Sequence, residues 1–274
     1  MVALGQALVH AQALGLERLD AQLLLLHALG RMPRDRAWLL AHDTDMLLPE
    51  PQCVFKEAVR RRATGEPLAY ITGHKEFYGL DLQVDARVLV PRPDTETLVD
   101  WALELLANAP TATRVLDLGT GSGAIALALK SARPDWHVVA VDHSAAALDV
   151  AKMNARRLQL DIACIQTSWL HALQGEYALI VSNPPYIAEQ DAHLHALQHE
   201  PLAALVAGTD GLDALRHIAS AAPRYLQPDG WLLLEHGYDQ AKAVQTLLKA
   251  AGLQAVQSRR DLAGIERCTG GRHP

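Results

Sequence analysis

The stretch RVLDLGTGSGAIALAL, residues 114–129, decides the fold class of this chain. Its first five residues are mostly apolar, as in a buried strand, and the apolar run that follows Gly123 is typical of a buried helix. Gly119 and Gly121 stand between the two, where glycine permits unusual φ angles and a close approach of a ligand to the backbone. This arrangement predicts a ligand site for a nucleotide-like molecule, with a plain strand-to-helix turn as the alternative.

Short apolar strands and helices alternate along the rest of this region. Strands are predicted at 114–118, 137–142, 162–165, 177–182 and 231–236, and helices from about 122, at 144–160, at 212–226 and from about 238. The alternation indicates a doubly wound α/β sheet of mostly parallel strands. In such sheets the ligand lies beyond the carboxyl ends of the strands.

The N-terminal part of the chain has a different pattern. Within residues 1–65 apolar residues recur every three or four positions, which predicts a small domain of several short helices. Residues 66–90 are rich in aromatic and β-branched residues, with Gly73 and Gly79 as turn points, and we interpret them as a β-hairpin connector. Residues 91–274 are expected to form the α/β domain.

Composition limits the classes of function. The chain has 274 residues, of which 50% are hydrophobic, and a formal net charge of −6, which argues against a surface built for bulk binding of nucleic acid. Cys53, Cys164 and Cys268 lie far apart and outside any CxxC spacing, so we expect neither disulfides nor a cysteine zinc site. The apolar runs are far shorter than the ~20 residues of a membrane span. We expect a cytoplasmic monomer without membrane attachment.

The spacing of the glycine loop distinguishes between ligands. Dinucleotide sites use G-x-G-x-x-G and place a pyrophosphate at the helix N-terminus, whereas the third glycine here comes one residue earlier. A ligand without phosphate is therefore favoured. The residues expected to surround it are Gly119, Thr120, Gly121, Ser122 and Gly123.

Three further side chains are candidate partners of this ligand. Asp142 ends the strand HVVAVD, where a carboxylate can accept hydrogen bonds from both hydroxyls of a ribose, or it caps the next helix beside Ser144. Asp117 either contacts the ligand or holds the glycine loop by accepting backbone N–H groups. Trp169 is a candidate wall for an adenine ring or a core tryptophan.

The stretch SNPPYI, residues 182–187, ends a predicted strand on the same edge of the sheet. Pro184 and Pro185 disfavour helical geometry in the residues before them and have no N–H, so the segment offers acceptors without competing donors. The Asn183 side-chain oxygen and the Pro184 carbonyl can each accept one N–H of a planar NH₂ group, while the Tyr186 ring packs against its face. A rigid turn that closes the strand is the structural alternative.

Such a site can catalyse reaction at nitrogen. If a sulfonium methyl group lies in line with the held nitrogen, displacement needs mainly alignment and a favourable environment for the redistributed charge. Asn183, Pro184 and Tyr186 are therefore the candidate catalytic residues.

No G-x-S-x-G elbow, the motif of a nucleophilic serine, is present. His195 and His199 are spaced to share a helix face, but methyl transfer needs no metal and we expect none.

With these motifs the chain resembles the class I S-adenosylmethionine-dependent methyltransferases, and within them the protein-(glutamine) methyltransferases that modify peptide chain release factors (PrmC/HemK family). The resemblance extends over nearly the whole chain and includes VLVPRPDTETLV, VLDLGTGSGAIALAL, VDHS, SNPPYI and GWLLLEHG. The combination of PRPDTE, NPPYI and a helical N-terminal domain is much more specific for this family than any one of the middle motifs, which occur in other methyltransferases. One departure is Ser168, because relatives often carry an acidic residue before the tryptophan.

The resemblance implies a Rossmann-like methyltransferase sheet and methyl transfer from S-adenosyl-L-methionine to N5 of the glutamine in the Gly-Gly-Gln loop of release factors, which modulates translation termination. It implies that residues 183–186 hold this glutamine and that the N-terminal domain helps to grip the protein substrate. Arg92 and Glu96 are expected at the edge of the substrate cleft, able to form a charge pair that braces it. The implied cofactor contacts are Gly119, Thr120, Gly121, Asp142, Trp169 and Asn183.

Two other functions are compatible with parts of the sequence. An adenine-N6 DNA methyltransferase would use the same acceptors, but it must also flip a base and bind phosphates. A DNA methyltransferase is disfavoured by the excess of acidic over basic residues. It is also disfavoured because the only notable basic cluster in the sequence is at 60–62 and no target-recognition domain is evident. A non-catalytic partner of the translation machinery is disfavoured by the intact Asn183 and glycine loop.

Overall fold

The computed structural model describes residues 2–171 and 173–274, and the chain divides into two compact units, Met1–His74 and Lys75–Pro274. No helix within the described residues is long and apolar enough to cross a membrane.

The α-helices are α1 (Leu4–Ala13), α2 (Arg18–Ala28), α3 (Arg36–Ala41), α4 (Pro49–Ala63), α5 (Leu68–Thr72), α6 (Glu96–Leu105), α7 (Ala124–Ala132), α8 (Ala145–Leu158), α9 (Asp213–Ala221) and α10 (Ala241–Ala250). The strands are β1 (Val2–Ala3), β2 (Met46–Leu47), β3 (His74–Phe77), β4 (Leu80–Gln83), β5 (Arg114–Leu118), β6 (His137–Asp142), β7 (Ala163–Gln166), β8 (Tyr177–Ser182), β9 (Leu226–Glu235), β10 (Gln254–Arg260) and β11 (Glu266–Arg272).

The first unit packs its helices around a leucine-rich core. Leu24, Leu25 and Leu26 of α2 are fully buried there. Helix α4 begins at Pro49, whose missing N–H is not needed in the first turn of a helix. The helical N-terminal part predicted from the sequence pattern is therefore present.

The second unit is built on a seven-stranded sheet. Its strand order is β10-β11-β9-β8-β5-β6-β7, in which β5 to β9 run parallel and β11 is antiparallel to both of its neighbours. The chain winds outward from β5 through β6 to β7 and then returns to β8 on the other side. Because the winding reverses between β5 and β8, the loops that follow these strands diverge and leave a crevice. The doubly wound α/β sheet is confirmed.

Two local predictions differ from the structure, and one pair of strands was not predicted. Within the region interpreted as a hairpin, residues Leu68–Thr72 form helix α5, which ends at Gly73 with a φ of +76°, and only β3 and β4 form a hairpin. The predicted helix over 212–226 stops at Ala221, because a 3₁₀ turn containing Pro223 leads into β9. The hairpin of β10 and β11 was not predicted, since β10 is a largely polar edge strand without alternating apolar residues.

Candidate functional site

A cavity of about 400 Å³ lies at the carboxyl ends of β5, β6 and β8. It brings together the glycine loop, Asp142, Trp169, Asn183 and Pro185, which come from separate parts of the sequence. Its lining comprises residues 87–89, 91, 95, 119–122, 124, 125, 141–144, 147, 167–169, 183, 185, 201, 203 and 204. The Pro184, Tyr186, Arg92 and Glu96 side chains do not belong to this lining.

The glycine loop presents its backbone to the cavity. Gly119 and Gly121 have φ angles of +70° and +55°, in the left-handed region that favours glycine. A Cβ atom added at Gly121 would meet no described atom within 4 Å, and one added at Gly119 would meet only Cζ3 of Trp169, at 3.6 Å. The Thr120 N–H donates to the Val141 carbonyl at 2.9 Å and ties the loop to β6. A ligand can therefore approach the main chain closely here.

Asp117 lies fully buried behind this loop. Its Oδ2 atom accepts hydrogen bonds from the Thr120 hydroxyl at 2.6 Å and from the Ala126 N–H at 3.2 Å, whereas Oδ1 has no partner among the described residues. Burial raises the pKa of Asp117 to about 7, although these two hydrogen bonds act in the opposite direction. Of the two roles considered for Asp117, its contacts are those of a residue that holds the loop.

Asp142 borders the cavity at the end of β6. Its Oδ2 atom accepts the Gly121 N–H and its Oδ1 atom accepts the Ser144 N–H, both at 2.9 Å. The N-cap of α8 is Ser144, whose hydroxyl accepts the Ala147 N–H at 3.2 Å, so helix capping is not the task of Asp142. Each carboxylate oxygen keeps capacity for a further hydrogen bond, which suits a ligand with two neighbouring hydroxyls.

Trp169 forms part of the cavity wall in an unusual backbone conformation. Its φ is +51°, which is a rare value for a bulky residue and occurs where surrounding contacts impose it. The Thr167 N–H donates to the Asp142 carbonyl at 3.1 Å, and the Thr167 hydroxyl donates to the His171 carbonyl at 2.6 Å. These bonds hold the turn that places the indole ring beside Gly119.

The segment 183–186 follows β8 and is fixed by side-chain contacts. The Asn183 Nδ2 atom donates to Oγ1 of Thr95 at 3.1 Å, which turns the amide oxygen to the opposite side. The Tyr186 hydroxyl donates to Oε1 of Glu235 at 3.4 Å, and its carbonyl accepts from Nε2 of Gln240 at 3.0 Å. Among the described residues no peptide bond is cis, so both prolines follow trans bonds.

Arg92 and Glu96 are not arranged as predicted. Arg92 forms its ion pair with the buried Glu200, which also accepts the Val90 N–H at 3.0 Å. Glu96 instead accepts the backbone N–H of Tyr78 at 3.0 Å. The predicted Arg92–Glu96 pair was wrong because a partner 108 residues away in sequence reaches Arg92 through the fold.

Glu200 belongs to a segment that leaves segment 183–186 and returns beside it. Ile187 bridges Val206, the Ile187 N–H donates to the Leu205 carbonyl at 2.9 Å, and the Ala207 N–H donates to the Ile187 carbonyl at 3.0 Å. Between these closing bonds lie 3₁₀ turns at Ala192–Leu197 and Leu202–Ala204. The second turn contributes to the cavity lining.

Sequence reasoning did not assign four residues that support the site. Thr95, Glu200 and Glu235 occur in the motifs PRPDTE, EPLAAL and LLLEHG, but nothing in the motifs shows what these side chains contact. The fourth, Asn154, interrupts the apolar face of α8 and is fully buried. Its amide nitrogen donates to the carbonyls of Ser122 and Gln83, both at 2.9 Å, and links the glycine loop to β4.

Neither a metal site nor a free basic cluster is found among the described residues. Within residues 2–171 and 173–274, no group of three or more His, Cys, Asp or Glu residues has the arrangement of a metal site. The basic cluster at 60–62 is neutralised inside the first unit. Its ion pairs are Arg60 with Glu57, Arg61 with Glu66 and Arg62 with Asp20.

Comparison with known families gives two matches that together extend over most of the chain. Residues 95–255 match the Methyltransferase small domain, and residues 3–73 match the PrmC N-terminal domain. The first match alone spans more than half of the chain.

Curated relatives match over nearly their full length. The release factor glutamine methyltransferase of Bordetella pertussis is 52% identical over 261 residues, with 94% of this chain and 95% of that protein aligned. The protein of the same name from Escherichia coli K12 is 45% identical over 275 residues, with 98% and 97% aligned. Among solved structures, a methyltransferase from Pyrococcus furiosus superposes with a TM-score of 0.55 over 79% of this chain and 98% of that one, at 16% identity, and supports the fold alone.

Proposed function

Because the chain belongs to the family of release factor glutamine methyltransferases, we propose that it transfers a methyl group from S-adenosyl-L-methionine to N5 of the glutamine in the Gly-Gly-Gln motif of peptide chain release factors. The observation that carries this proposal is the oriented amide of Asn183, which borders the same cavity as the glycine loop and Asp142. Methylation of that glutamine would modulate translation termination.

The residues around the cavity fit S-adenosylmethionine. The open backbone at Gly121 offers room for a ligand against the main chain, and Asp142 retains acceptors for two ribose hydroxyls. The Trp169 ring offers a flat apolar wall for adenine. We assign cofactor contacts to Gly119, Thr120, Gly121, Ser122, Asp142, Trp169 and Asn183, and we assign Asp117 and Gly123 to support of the loop.

Segment 183–186 is proposed to hold the substrate amide. The Asn183 Oδ1 atom and the Pro184 carbonyl accept its two N–H bonds, while the Tyr186 ring packs against its face. The trans prolines keep this segment from forming a helix that would use its carbonyls internally. The nitrogen lone pair is then directed toward the cavity.

Catalysis in this scheme depends on alignment and electrostatics. When bound, S-adenosylmethionine would supply a sulfonium methyl group, and its transfer to the amide nitrogen would release the neutral thioether of the cofactor and, to solvent, one amide proton. The acceptors at Asn183 and Pro184 stabilise the positive charge that develops on the nitrogen. Since they are fixed before the reaction, little reorganisation is required.

We propose that the helical N-terminal part, residues 1–65, helps to grip the release factor, that 66–90 connects it, and that 91–274 carries out methyl transfer. We propose that Arg92 braces the substrate cleft by its ion pair with Glu200, and that Glu96 braces it by accepting the Tyr78 N–H. We further propose a monomer that acts in the cytoplasm, where release factors function.

DNA is the less favoured substrate. The Arg60, Arg61 and Arg62 guanidinium groups are each paired with a carboxylate, so this cluster has little capacity left for phosphates. We therefore propose that the chain makes no direct functional contact with nucleic acid.

The test is transfer of labelled methyl from S-adenosylmethionine by the purified full-length chain. The expected result is labelling of a release factor, abolished when the glutamine of its Gly-Gly-Gln motif is changed to alanine. Labelling of duplex DNA in the absence of any release factor would overturn the substrate assignment. Binding of S-adenosylmethionine without transfer to either would support the non-catalytic alternative.

A further inference from the structure

Gln240 lies against the far end of segment 183–186 and has no part in the proposed mechanism. Strands β8 and β9 run parallel, with Ser182 paired to Leu234, so the residues that follow the two strands lie at the same edge of the sheet. Gln240 directly precedes helix α10 and is partly buried. It is not among the described residues that line the cavity. Any effect of its side chain on the reaction must therefore act through another residue.

Two backbone groups fix the orientation of the Gln240 amide. Its Oε1 atom accepts the Gly237 N–H at 2.8 Å, and its Nε2 atom donates to the Tyr186 carbonyl at 3.0 Å. A backbone N–H can only donate and a carbonyl can only accept, so a reversed amide would lose both hydrogen bonds. Of the two orientations, the observed one alone pairs both groups.

The backbone encloses this amide closely on two sides. A Cβ atom added at Gly237 would lie 3.0 Å from Oε1 of Gln240, and one added at Gly211 would lie 2.9 Å from Nε2. The Nε2 atom also lies 3.5 Å from the carbonyl oxygens of Asp210 and Gly211. The Tyr186 carbonyl, at 3.0 Å, is the nearest acceptor to Nε2 among the described residues. The side chain therefore has little room to change its partner.

Segment 183–186 has few donors of its own by which it can be anchored. Its two prolines have no N–H, so its position depends on contacts made by its side chains and carbonyls. The Asn183 side chain is bonded to Thr95 at one end, and the Tyr186 carbonyl is bonded to Gln240 at the other. The proline pair connects these two anchors. Loss of either anchor would let the carbonyls between them shift.

We propose that Gln240 is a positioning residue that, by holding the Tyr186 carbonyl, keeps the Pro184 carbonyl and the Tyr186 ring in place against the substrate amide. This inference rests on the proposed function. Without the Nε2 donor, the Tyr186 carbonyl loses this partner and the far end of the segment can move. A displacement of about 1 Å at a residue that aligns a substrate can reduce the rate about 10²-fold. The proposed cofactor contacts at the glycine loop and Asp142 do not involve Gln240.

Gln240→Glu tests the donor alone. The variant keeps an oxygen for the Gly237 N–H but places a carboxylate oxygen against the Tyr186 carbonyl, so that an acceptor faces an acceptor. A negative charge at the N-terminus of a helix is favourable, so α10 should remain folded. We expect kcat to fall about tenfold or more, while the Kd for S-adenosylmethionine stays within about threefold.

Gln245→Glu is the matched control, because it makes the same chemical change within α10. The Gln245 Nε2 atom donates to Oγ of Ser258 at 2.8 Å, on the edge strand β10, which two strands separate from β8. Q245E also loses a donor, but its kcat should stay within about twofold of the wild type. A loss of kcat in Q245E equal to that in Q240E would assign the effect to α10 as a whole and overturn the inference.

Protonation should restore Q240E but not Gln240→Ala. A protonated carboxyl group has one O–H donor and one acceptor oxygen, as the amide has, and the facing Tyr186 carbonyl favours this form. The ratio of kcat in Q240E to kcat in the wild type should therefore rise as pH falls from about 8 to about 5, whereas the ratio for Q240A should stay constant.

The titratable and charged groups around position 240 are the same in the wild type and in both variants, so their titration cancels in these ratios. They include Tyr186, His236, Asp239, Asp210, Asp213 and Arg216.

The hydrogen bond can also be measured without turnover. In ¹⁵N-labelled protein the Gln240 side-chain NH₂ signal is identified by its loss in Q240E, and one of its protons should exchange more slowly than those of the exposed Gln12. Wild-type kcat in Q240E, a ratio for Q240E that does not change with pH, or exchange as fast as at Gln12 would overturn the inference. Failure of the wild type to label a release factor would instead reject the proposed function, and the exchange measurement would still test the hydrogen bond.

Discussion

The Nδ2 atom of Asn183 lies 3.1 Å from the Thr95 Oγ1 atom, and this hydrogen bond joins positions 88 residues apart. Thr95 closes a 3₁₀ turn, Pro93–Thr95, at the cavity edge, while Asn183 directly follows β8. The donor side of the amide is therefore occupied by the protein itself. An acceptor whose direction is set in advance can stabilise charge without reorganising during the reaction.

Replacing Asn183 by alanine should impair chemistry far more than cofactor binding. We expect kcat to fall by about 10² or more in N183A, because the proposed contact with the reacting nitrogen is lost. The Kd for S-adenosylmethionine should remain within about an order of magnitude, measured by calorimetry. The exposed Asn108→Ala is the matched control. Unchanged kcat in N183A would remove Asn183 from the mechanism.

Asp142→Asn should weaken cofactor binding. The variant loses charge and one acceptor atom, and hydrogen bonds to charged groups contribute about 1.5–3 kcal/mol, so we expect Kd to rise about 10- to 100-fold. Calorimetric titration with S-adenosylmethionine measures this change. Asp135→Asn, at a surface pair with Arg133, is the control and should bind normally. Equal Kd values in the two variants would exclude Asp142 from the cofactor site.

Gly211→Ala should displace the 183–186 segment. Gly211 has a φ of +73°, and an added Cβ would lie 2.3 Å from the Tyr186 carbonyl oxygen. Gly79 has a nearly equal φ of +75° but no described atom within 4 Å of its added Cβ, so G79A isolates the backbone strain of about 1–2 kcal/mol. We expect G211A to lose more unfolding free energy than G79A and also to lose kcat, as measured by denaturant titration and methyl-transfer assays. Equal losses of unfolding free energy and of kcat in G211A and G79A would show that the 183–186 segment moves aside without effect on stability or activity.

Asp117→Asn should flatten the pH dependence of stability. A carboxyl group in an unfolded chain titrates near ~4, whereas burial raises the pKa of folded Asp117 to about 7, with the nearby Asp142 charge acting in the same direction. Its contribution to stability is therefore fully present below about pH 4 and is lost as pH rises through about 7. The fall in Tm between about pH 5 and about pH 8 should be smaller in D117N than in the wild type, with a residual fall from Glu235.

The exposed Asp229→Asn is the control for this experiment, since Asp229 forms a surface pair with Arg272. An identical Tm difference in D117N and in the wild type would contradict the assignment.

The parts of the fold that depend on local pattern could be predicted from the sequence. Strands β5, β6 and β8 have the predicted bounds because their apolar runs are flanked by glycine, aspartate or proline. The edge strand β10 could not be found in this way, since only its pairing with β11 makes it a strand. Likewise, Leu226 belongs to β9 rather than to the preceding helix because it pairs with Tyr177.

Site residues could be predicted where a side chain of specific chemistry lies at the carboxyl end of a predicted strand. Asp142 ends β6 and Asn183 follows β8, the two strands that flank β5 in the parallel part of the sheet, so their proximity to the cavity follows from the winding. The contacts of Arg92 with Glu200 and of Thr95 with Asn183 span 108 and 88 residues, and no local pattern contains them. Such pairs become visible only when the packing of the loops is known.

The bridge between Ile187 and Val206 has a consequence for the variation that this chain can tolerate. The residues between them form a loop whose two ends are joined by backbone hydrogen bonds, with Glu200 bound near the returning end. Residues inserted or deleted near the exposed turn at Ala192–Leu197 would change the size of that loop, which costs little entropy, and would leave both ends in place. The length and composition of this outer turn can therefore vary between variants of the enzyme while the geometry around Asn183 is retained.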